Sequence, residues 1–177
     1  MKRLFNLAIL LIAAAALSTS CTAVRKVAAD QDTLTWQYDM EPTTGQAVQG
    51  AILVKVWSYS KSKDVALGQA GKNAVHGVLF KGVAALTTPS ARVPAQRAIV
   101  TDVNAEENYK TYFKSFFSDG GKYMKYVNFV NNGVPAPGDI IKVGKEYKIG
   151  VRVSVAKDAL RKEMEAAGIV KALGAGF

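Results

Sequence analysis

The sequence predicts an α+β fold: a single domain with a mostly antiparallel sheet and about three helices on one face of that sheet. The chain has 177 residues, which is enough for one domain and short for two. Hydrophobic residues make up 49% of it and charged residues 21%, an ordinary globular composition. Strand-like and helix-like segments do not alternate strictly along the chain, whereas strict alternation is typical of a parallel sheet with crossover helices.

The first half of the domain is predicted to form two strands followed by a helix. Residues 33–40 alternate between apolar and polar, the pattern of a half-buried strand. Residues 51–60 are rich in β-branched and aromatic side chains, which indicates a more central strand. A helix is expected to begin at Ser62 or Asp64 and to run to about Phe80. Three glycines inside it indicate a close approach of its backbone to the sheet: Gly68, Gly71 and Gly77.

The middle of the chain combines an unpatterned segment with a second predicted helix. Residues 82–103 show no clear period, and a structureless loop of that length is uncommon in a compact domain, so we expect it to be functional or mobile. Asn104 and Glu107 have the spacing of a capping box. A helix over residues 105–117 should follow and turn four aromatic side chains toward the core: Tyr109, Tyr112, Phe113 and Phe116.

The last third of the chain is predicted to contain three strands and a helix. Residues 123–131 have the composition of a strand. Residues 140–156 are expected to form a hairpin that turns at Gly144. A final helix is predicted over residues 158–167, with Gly168 at its C-terminal end.

The motifs of catalytic, metal and nucleotide sites are not matched by this sequence. One Cys and one His cannot supply an internal disulfide or a four-ligand zinc site. Residues 138–145 read Gly-x5-Gly-Lys, one residue longer than a P-loop, and lead into a predicted strand. His76 is predicted to be an ordinary helical residue, partly buried or at the surface, and Glu106 and Glu107 to be solvated or capping residues. We therefore predict no catalytic residue, no cofactor and no metal, and a protein that is not an enzyme.

The N-terminal residues are typical of an export signal. Lys2 and Arg3 precede an apolar run over residues 4–17, which is short for a permanent membrane span. Ser20 and then Cys21, the only Cys, follow that run. This arrangement resembles the lipobox of bacterial lipoproteins. The resemblance implies cleavage after Ser20 and attachment of acyl chains such as palmitate at Cys21, and two or more chains anchor a protein stably.

The lipobox resemblance also implies domain limits and a location. Residues 1–20 would be the signal peptide, residues 21–32 a lipid-anchored tether, and residues 33–177 the α+β domain. Thr22 after the Cys favours the outer membrane, and a periplasm-facing domain is expected because no acidic cluster follows. Lys and Arg exceed Asp and Glu by nine (23 − 14), yet nucleic acid is not expected as a partner in a periplasm.

A second resemblance concerns the body of the chain. With its lipobox, tether and α+β domain, the chain resembles the small accessory lipoproteins of Gram-negative envelopes. Residues 50–82, a strand followed by an Ala-rich helix with the run Lys72-Asn73-Ala74, resemble the α+β domains of curli-secretion and penicillin-binding-protein-activator lipoproteins. The resemblance implies a non-enzymatic role: holding, activating or assembling other envelope proteins.

Three functional hypotheses follow from these observations. The first is an accessory or assembly factor that contacts an envelope protein through the loop carrying Arg92 and Arg97 and through a tail ending at Phe177. The second is a module that binds peptidoglycan or another anionic polymer through the basic and aromatic residues 109–126, although the same aromatic spacing is what a core face needs. Its candidate contact residues are Lys110, Lys114 and Lys122. The third is an envelope hydrolase whose site the sequence does not reveal.

Overall fold

Four helices and seven strands form the part of the chain described by the computed structural model, which covers residues 36–45, 47–63 and 67–172. The strands are β1 (Tyr38–Pro42), β2 (Ile52–Ser60), β3 (Leu86–Thr88), β4 (Ala91–Val93), β5 (Val127–Phe129), β6 (Ile140–Val143) and β7 (Glu146–Val155). The helices are α1 (Leu67–His76), α2 (Ala105–Asn108), α3 (Lys110–Phe116) and α4 (Lys157–Ala166). A π-helical turn, Gly77–Lys81, extends α1, and two 3-10 helices, Lys122–Tyr126 and Val130–Gly133, flank β5. The predicted α+β class is confirmed.

A five-stranded antiparallel sheet organises the domain. Its order is β1-β2-β7-β5, and β6 lies beside the other half of β7. The long β2–β7 ladder runs from the pair Ile52–Val155 to the pair Ser60–Tyr147. Since β2 occupies one side of β7 along its whole length, β5 and β6 share the opposite side. The prediction that β2 is a central strand is confirmed, and β3 and β4 form a separate two-stranded sheet.

One face of the large sheet carries the core, and α1 packs on that face. Val54 and Val56 of β2 and Val153 of β7 have no exposed surface, and each such side chain stabilises the fold by about 1.5–3 kcal/mol. Every residue from Gln69 to Leu79 is buried, because α1 contacts the sheet and also the 3-10 helix Lys122–Tyr126. The other helices add side chains to the same core: Ala105, Phe113, Phe116, Leu160 and Met164.

Close packing explains the glycines within the first helix. A Cβ atom at Gly71 would lie 3.2 Å from Cζ of Phe129 and 3.4 Å from Cγ1 of Val127, both on β5. A Cβ atom at Gly77 would lie 2.7 Å from side-chain atoms of Met40 on β1. The expected close approach of this helix to the sheet is thus confirmed.

Two strand predictions were wrong in their limits. The first strand begins at Tyr38, because Trp36 has a positive φ of 49°, which is incompatible with an extended strand. The predicted strand 123–131 is reduced to the three residues of β5 between two 3-10 helices. Tyr123 turns into the core, and Asn131 has a left-handed φ of 51° that ends the extended backbone.

The second helix and the preceding loop also differ from the prediction. The helix is broken at Tyr109 into α2 and α3, and Asn104 makes no side-chain capping bond. Residues 82–103 are not structureless: they contain the hairpin β3–β4 and an antiparallel bridge between Val83 and Gln96. The predicted hairpin 140–156 and the final helix are confirmed. Within the described ranges, no helix is both long and apolar enough to cross a bilayer.

Candidate functional site

Helix α1 buries several polar side chains, and three of them have side-chain partners elsewhere in the fold: Lys72, Asn73 and His76. Lys72 donates from Nζ to Oδ1 of Asp119 at 3.0 Å. Asn73 donates from Nδ2 to Oγ of Ser58 on β2, also at 3.0 Å. Buried polar groups cost free energy unless they are hydrogen-bonded, so these pairs fix the position of α1 over the sheet.

His76 forms the most connected of these buried groups. Its Nδ1 lies 2.7 Å from the hydroxyl of Tyr38 on β1, and its Nε2 lies 3.0 Å from Oε1 of Glu106 on α2. The ring of Trp36 stacks on the imidazole with a centroid distance of 3.8 Å, and Phe80 closes another side. A neutral imidazole with its proton on Nε2 satisfies both bonds, because the Tyr38 hydroxyl then donates to Nδ1.

The electrostatics of this group favour neutral species. Burial, aided by the nearby Lys81 ammonium, lowers the pKa of His76 to about 3. Burial raises the pKa of the Tyr38 hydroxyl, and the Glu106 carboxylate raises it further. The pKa of Glu106 is also raised by burial. The order carboxyl, imidazole, hydroxyl is that of a hydrolytic triad, but Tyr38 is buried and the pKa of its hydroxyl is raised, the opposite of the lowered pKa of many activated nucleophiles. The three side chains connect β1, α1 and α2.

The sequence-based interpretation of His76 is corrected by this arrangement, because His76 is only 4% exposed. Glu106 is exposed, as expected of a solvated residue, and also binds His76 through Oε1. Glu107 is exposed as well and pairs with Lys110. The contact between His76 and Glu106 joins residues thirty positions apart, and no short-range sequence pattern indicates a contact over that distance. The sole signal was a His within a helix otherwise rich in Ala and Val.

The predicted interaction residues lie at several places on the domain. Arg92 is exposed on β4, and Arg97 is exposed on the segment that follows it. Lys114 is exposed on α3 and lies one turn after Lys110, which shares its face. Lys122 donates to Oε1 of Glu163 on α4 at 2.9 Å. Cys21 and Phe177 lie outside the described residues.

The aromatic part of the segment 109–126 belongs to the core. Phe113, Phe116 and Tyr123 are buried, and Tyr112 is half-buried. The hydroxyl groups of Tyr112 and Tyr126 both donate to the carboxylate of Glu163. The four predicted core rings of this helix thus lie in the core or pack against it, and the interpretation of the aromatic spacing as a core face is confirmed.

Strand β6 presents apolar side chains at an edge of the sheet. Ile140, Ile141 and Val143 are 47%, 44% and 49% exposed. Among the described residues, β6 pairs only with β7, so its outer side has no strand neighbour. A flat apolar edge of this kind is a template for pairing with another strand.

The direction of the backbone groups in β6 follows from its register. The Gly150 N–H donates to the carbonyl oxygen of Asp139 at 2.8 Å, immediately before β6. Bonded and non-bonded pairs alternate along an antiparallel ladder. Every second residue of β6 therefore points its N–H and C=O away from β7, and these residues are Ile140 and Lys142.

The edge formed by β6 is held in place at both ends. At its start, Lys55 Nζ pairs with Oδ1 of the buried Asp139 at 2.5 Å. At its end, Gly144 has a φ of 62°, the positive value required of the first residue in a two-residue hairpin turn. The edge is thus preformed, which lowers the entropic cost of adding a strand to it.

The helix-free face of the sheet is charged, and its groups are largely paired. Trp57 lies across Gly150 of β7, where a Cβ atom would meet its ring at 3.0 Å. Lys55 and Lys148 place their ammonium groups 4.5 Å and 5.3 Å from the centre of that ring. Lys148 also pairs with Asp39 at 2.6 Å. This face contrasts with the unpaired edge of β6.

Neither a metal centre nor a known relative is indicated for this domain. Within residues 36–45, 47–63 and 67–172, no three His, Cys, Asp or Glu side chains lie close enough to hold a metal ion. Comparison with protein-family models, with curated proteins and with solved structures gives no match. The functional argument therefore depends on the residues themselves.

Proposed function

We propose that this protein is a lipid-anchored, non-catalytic protein of the bacterial outer membrane that acts as an accessory or assembly factor by binding an envelope protein. The observation that carries the proposal is the exposed apolar edge at β6, with the outward-facing backbone groups of Ile140 and Lys142. Such an edge binds an extended segment of a partner as an additional strand. In this mode the backbone bonds supply affinity and alternate side chains supply specificity.

The charge beside this edge favours a particular partner chemistry. Lys142 lies within β6 and Lys145 in the adjoining turn, both exposed and neither in an ion pair with a described residue. A partner strand that combines apolar with acidic residues would complement them. Two copies of this chain would instead bring like charges together along one short ladder, which is unfavourable. The occupant we propose is therefore an apolar and acidic strand of a different protein.

The proposed anchor would restrict where such a partner can be. A tether over residues 22–32 reaches at most about 35–40 Å when fully extended. Attachment at Cys21 would confine the domain to a thin layer beside the membrane, which raises its effective concentration for membrane-bound partners. An accessory role beside a membrane assembly is consistent with this confinement.

The cell-wall polymer hypothesis ranks second. The rings of residues 109–126 lie in the core or pack against it, so mainly the cations remain of the surface on which that hypothesis depended. Of these, Lys110 pairs with Glu107 and Lys122 with Glu163.

Substitutions at Lys142 test the proposal directly. Lys142→Pro removes an N–H that points away from β7, and proline is tolerated at such edge positions. Lys142→Ala is the matched control, because it removes the same charge but keeps the N–H. Cells producing each tagged full chain are crosslinked, and the membrane fraction is analysed by mass spectrometry. A Cys21→Ser chain is treated in parallel.

We expect one envelope protein to be recovered with the wild-type chain and, at reduced yield, with Lys142→Ala. It should be lost with Lys142→Pro, while circular dichroism shows an unchanged fold, and lost with Cys21→Ser. Equal recovery with Lys142→Pro and the wild type would show that β6 is not the contact. Recovery of wall fragments alone would contradict the protein-contact function.

A further inference from the structure

A groove lies between residues 97–102 and residues 161–171. Its volume is about 540 Å³, within the usual range for small-molecule sites. The lining residues on which the argument depends are Arg97, Ile99, Asp102, Arg161, Ile169 and Lys171. Three of these are cationic and one is acidic, which gives a formal lining charge of +2 (3 − 1).

Both walls of the groove are fixed by backbone hydrogen bonds. Ile99 donates its N–H to the carbonyl of Val78 at 3.3 Å, which holds the segment 97–102 against the end of the first helix. Ile169 donates to the carbonyl of Met164 at 2.9 Å, which folds the chain back after α4. Ile99 is buried and Ile169 half-buried, so the groove has an apolar floor that exists before any ligand binds.

Two of the three cations in the groove are unpaired, and the third is held by an ion pair. Within the described part of the chain, the Arg97 guanidinium and the Lys171 ammonium take part in no hydrogen bond or ion pair. Arg161 is oriented by Glu165, which accepts from Nε at 2.9 Å, and by the Lys171 carbonyl, which accepts from Nη2 at 3.4 Å. The carboxylate of Asp102 accepts the N–H of Asn104 at 2.9 Å. The groove thus combines unpaired donors with one pre-oriented guanidinium.

We propose that this groove binds a phosphate group attached to an apolar body, with Arg97, Arg161 and Lys171 contacting the phosphate and the floor at Ile99 and Ile169 contacting the apolar part. These three cations line one groove, and a phosphate offers several acceptor oxygens to such donors, which guanidinium groups bind in a bidentate geometry. Such a ligand could be the headgroup of a membrane lipid or a soluble phosphorylated amphiphile. The inference does not depend on the proposed protein contact, since β6 contributes no residue to the groove.

Binding is tested with the full chain carrying Cys21→Ser. Dodecyl phosphate below its micelle concentration is the probe, with dodecyl maltoside and inorganic phosphate as single-component controls. Backbone amide shifts in the NMR spectrum locate the site, and calorimetry gives the affinity. The variants are Arg97→Gln and Lys171→Gln, and Arg92→Gln removes the same charge from an exposed position outside the groove.

We expect dodecyl phosphate to shift the amides of residues 97–102 and 169–171 and to bind more tightly than either control. Arg97→Gln and Lys171→Gln should each weaken binding by roughly tenfold, and Arg92→Gln should have little effect. Equal weakening by Arg92→Gln, or no weakening by the groove variants, would overturn the site. Inorganic phosphate binding as tightly as dodecyl phosphate would overturn the role of the apolar floor.

Vesicles distinguish the two sources of the phosphate. Phosphatidylcholine vesicles with and without phosphatidic acid are sedimented with the same chain and variants. Retention that requires phosphatidic acid and Arg97 assigns the site to a lipid headgroup. Absence of retention, together with binding of soluble dodecyl phosphate, assigns it to a soluble amphiphile.

Discussion

The imidazole of His76 connects the stability of this domain to pH. In an unfolded chain a His has a pKa near 6.5, whereas burial lowers the pKa of His76 to about 3. Between these values the unfolded state binds a proton that the folded state does not. The contribution of His76 to the free energy of unfolding is therefore fully present above pH 6.5 and decreases as the pH falls below that value. Glu106, whose pKa is raised, acts in the opposite direction at the acidic end of this window.

This titration predicts a loss of about 2 kcal/mol in the free energy of unfolding between pH 7 and pH 5. Urea unfolding at the two pH values measures it. The variant His76→Gln retains a donor and an acceptor but does not titrate, so its free energy of unfolding should vary less between the same pH values. A wild-type chain that is equally stable at pH 5 and pH 7 would contradict the burial of a neutral His76.

The hydroxyl of Tyr38 allows a second test of the same group. Tyr38→Phe leaves Nδ1 of His76 without its donor in a buried position, which should cost about 1–3 kcal/mol. Tyr59→Phe is the matched control, because the Tyr59 hydroxyl donates to Asp39 at an exposed site. Its expected effect is within about 0.5 kcal/mol. Chemical denaturation compares the two, and equal effects would place the Tyr38 hydroxyl in contact with water.

At the scale of elements, both backbone conformation and steric contact determine where the first helix ends. Gly82 ends the π-helical turn with a φ of 72°, and its N–H donates to the carbonyl of Gly77 at 2.8 Å. A Cβ atom at Gly82 would lie 2.5 Å from the carbonyl oxygen of Gln96. Gly168, after α4, has nearly the same φ of 71° but no atom within 4 Å of such a Cβ.

We expect the same substitution at these two glycines to lower the free energy of unfolding by unequal amounts. Gly168→Ala should cost about 1–2 kcal/mol, the strain of a left-handed residue alone. Gly82→Ala should cost roughly 1–3 kcal/mol more, because the methyl group also displaces the backbone at Gln96. Thermal unfolding of both variants measures the difference. Equal losses would show that the segment after β4 moves away freely.

Short-range patterns predicted the regular elements, and long-range contacts caused the errors. The alternation in β2 and β7 is local, so their limits were predicted well. The break at Tyr109 and the shortening of β5 arise where side chains turn into a core built from distant segments. The sequence at β6 resembles any short apolar strand, and its exposure depends on its place at the sheet edge.

At the scale of the whole molecule, the class of fold was predictable but the sites were largely not. Arg97 was a candidate because it lies in a proline-bearing loop, yet its neighbours Arg161 and Lys171 come from the far end of the chain. The group around His76 likewise joins three segments that no motif connects. The fold brings together the residues of such sites from distant parts of the chain. A single sequence can therefore predict individual site residues, but it does not show which of them lie together.

The proposed anchor makes a prediction for the whole chain in cells. Cys21→Ser should move the protein from the membrane fraction to the soluble fraction and abolish incorporation of labelled palmitate. Ser20→Ala, which keeps a small residue before the Cys, should leave both properties unchanged. Fractionation with immunoblotting measures the first and autoradiography the second. A Cys21→Ser chain that remains fully membrane-bound would contradict lipid anchoring at this residue.

The stacking of Trp36 on His76 gives the domain its own optical signal. The chain has two tryptophans: Trp57 is covered on the helix-free face of the sheet, and Trp36 is the first described residue and stacks on an imidazole at 3.8 Å. An indole that leaves this stack moves from a half-buried position into water, so displacement of Trp36 would change its emission. Any event that opens the contacts of His76 with Tyr38 and Glu106 would therefore be visible in the emission of Trp36.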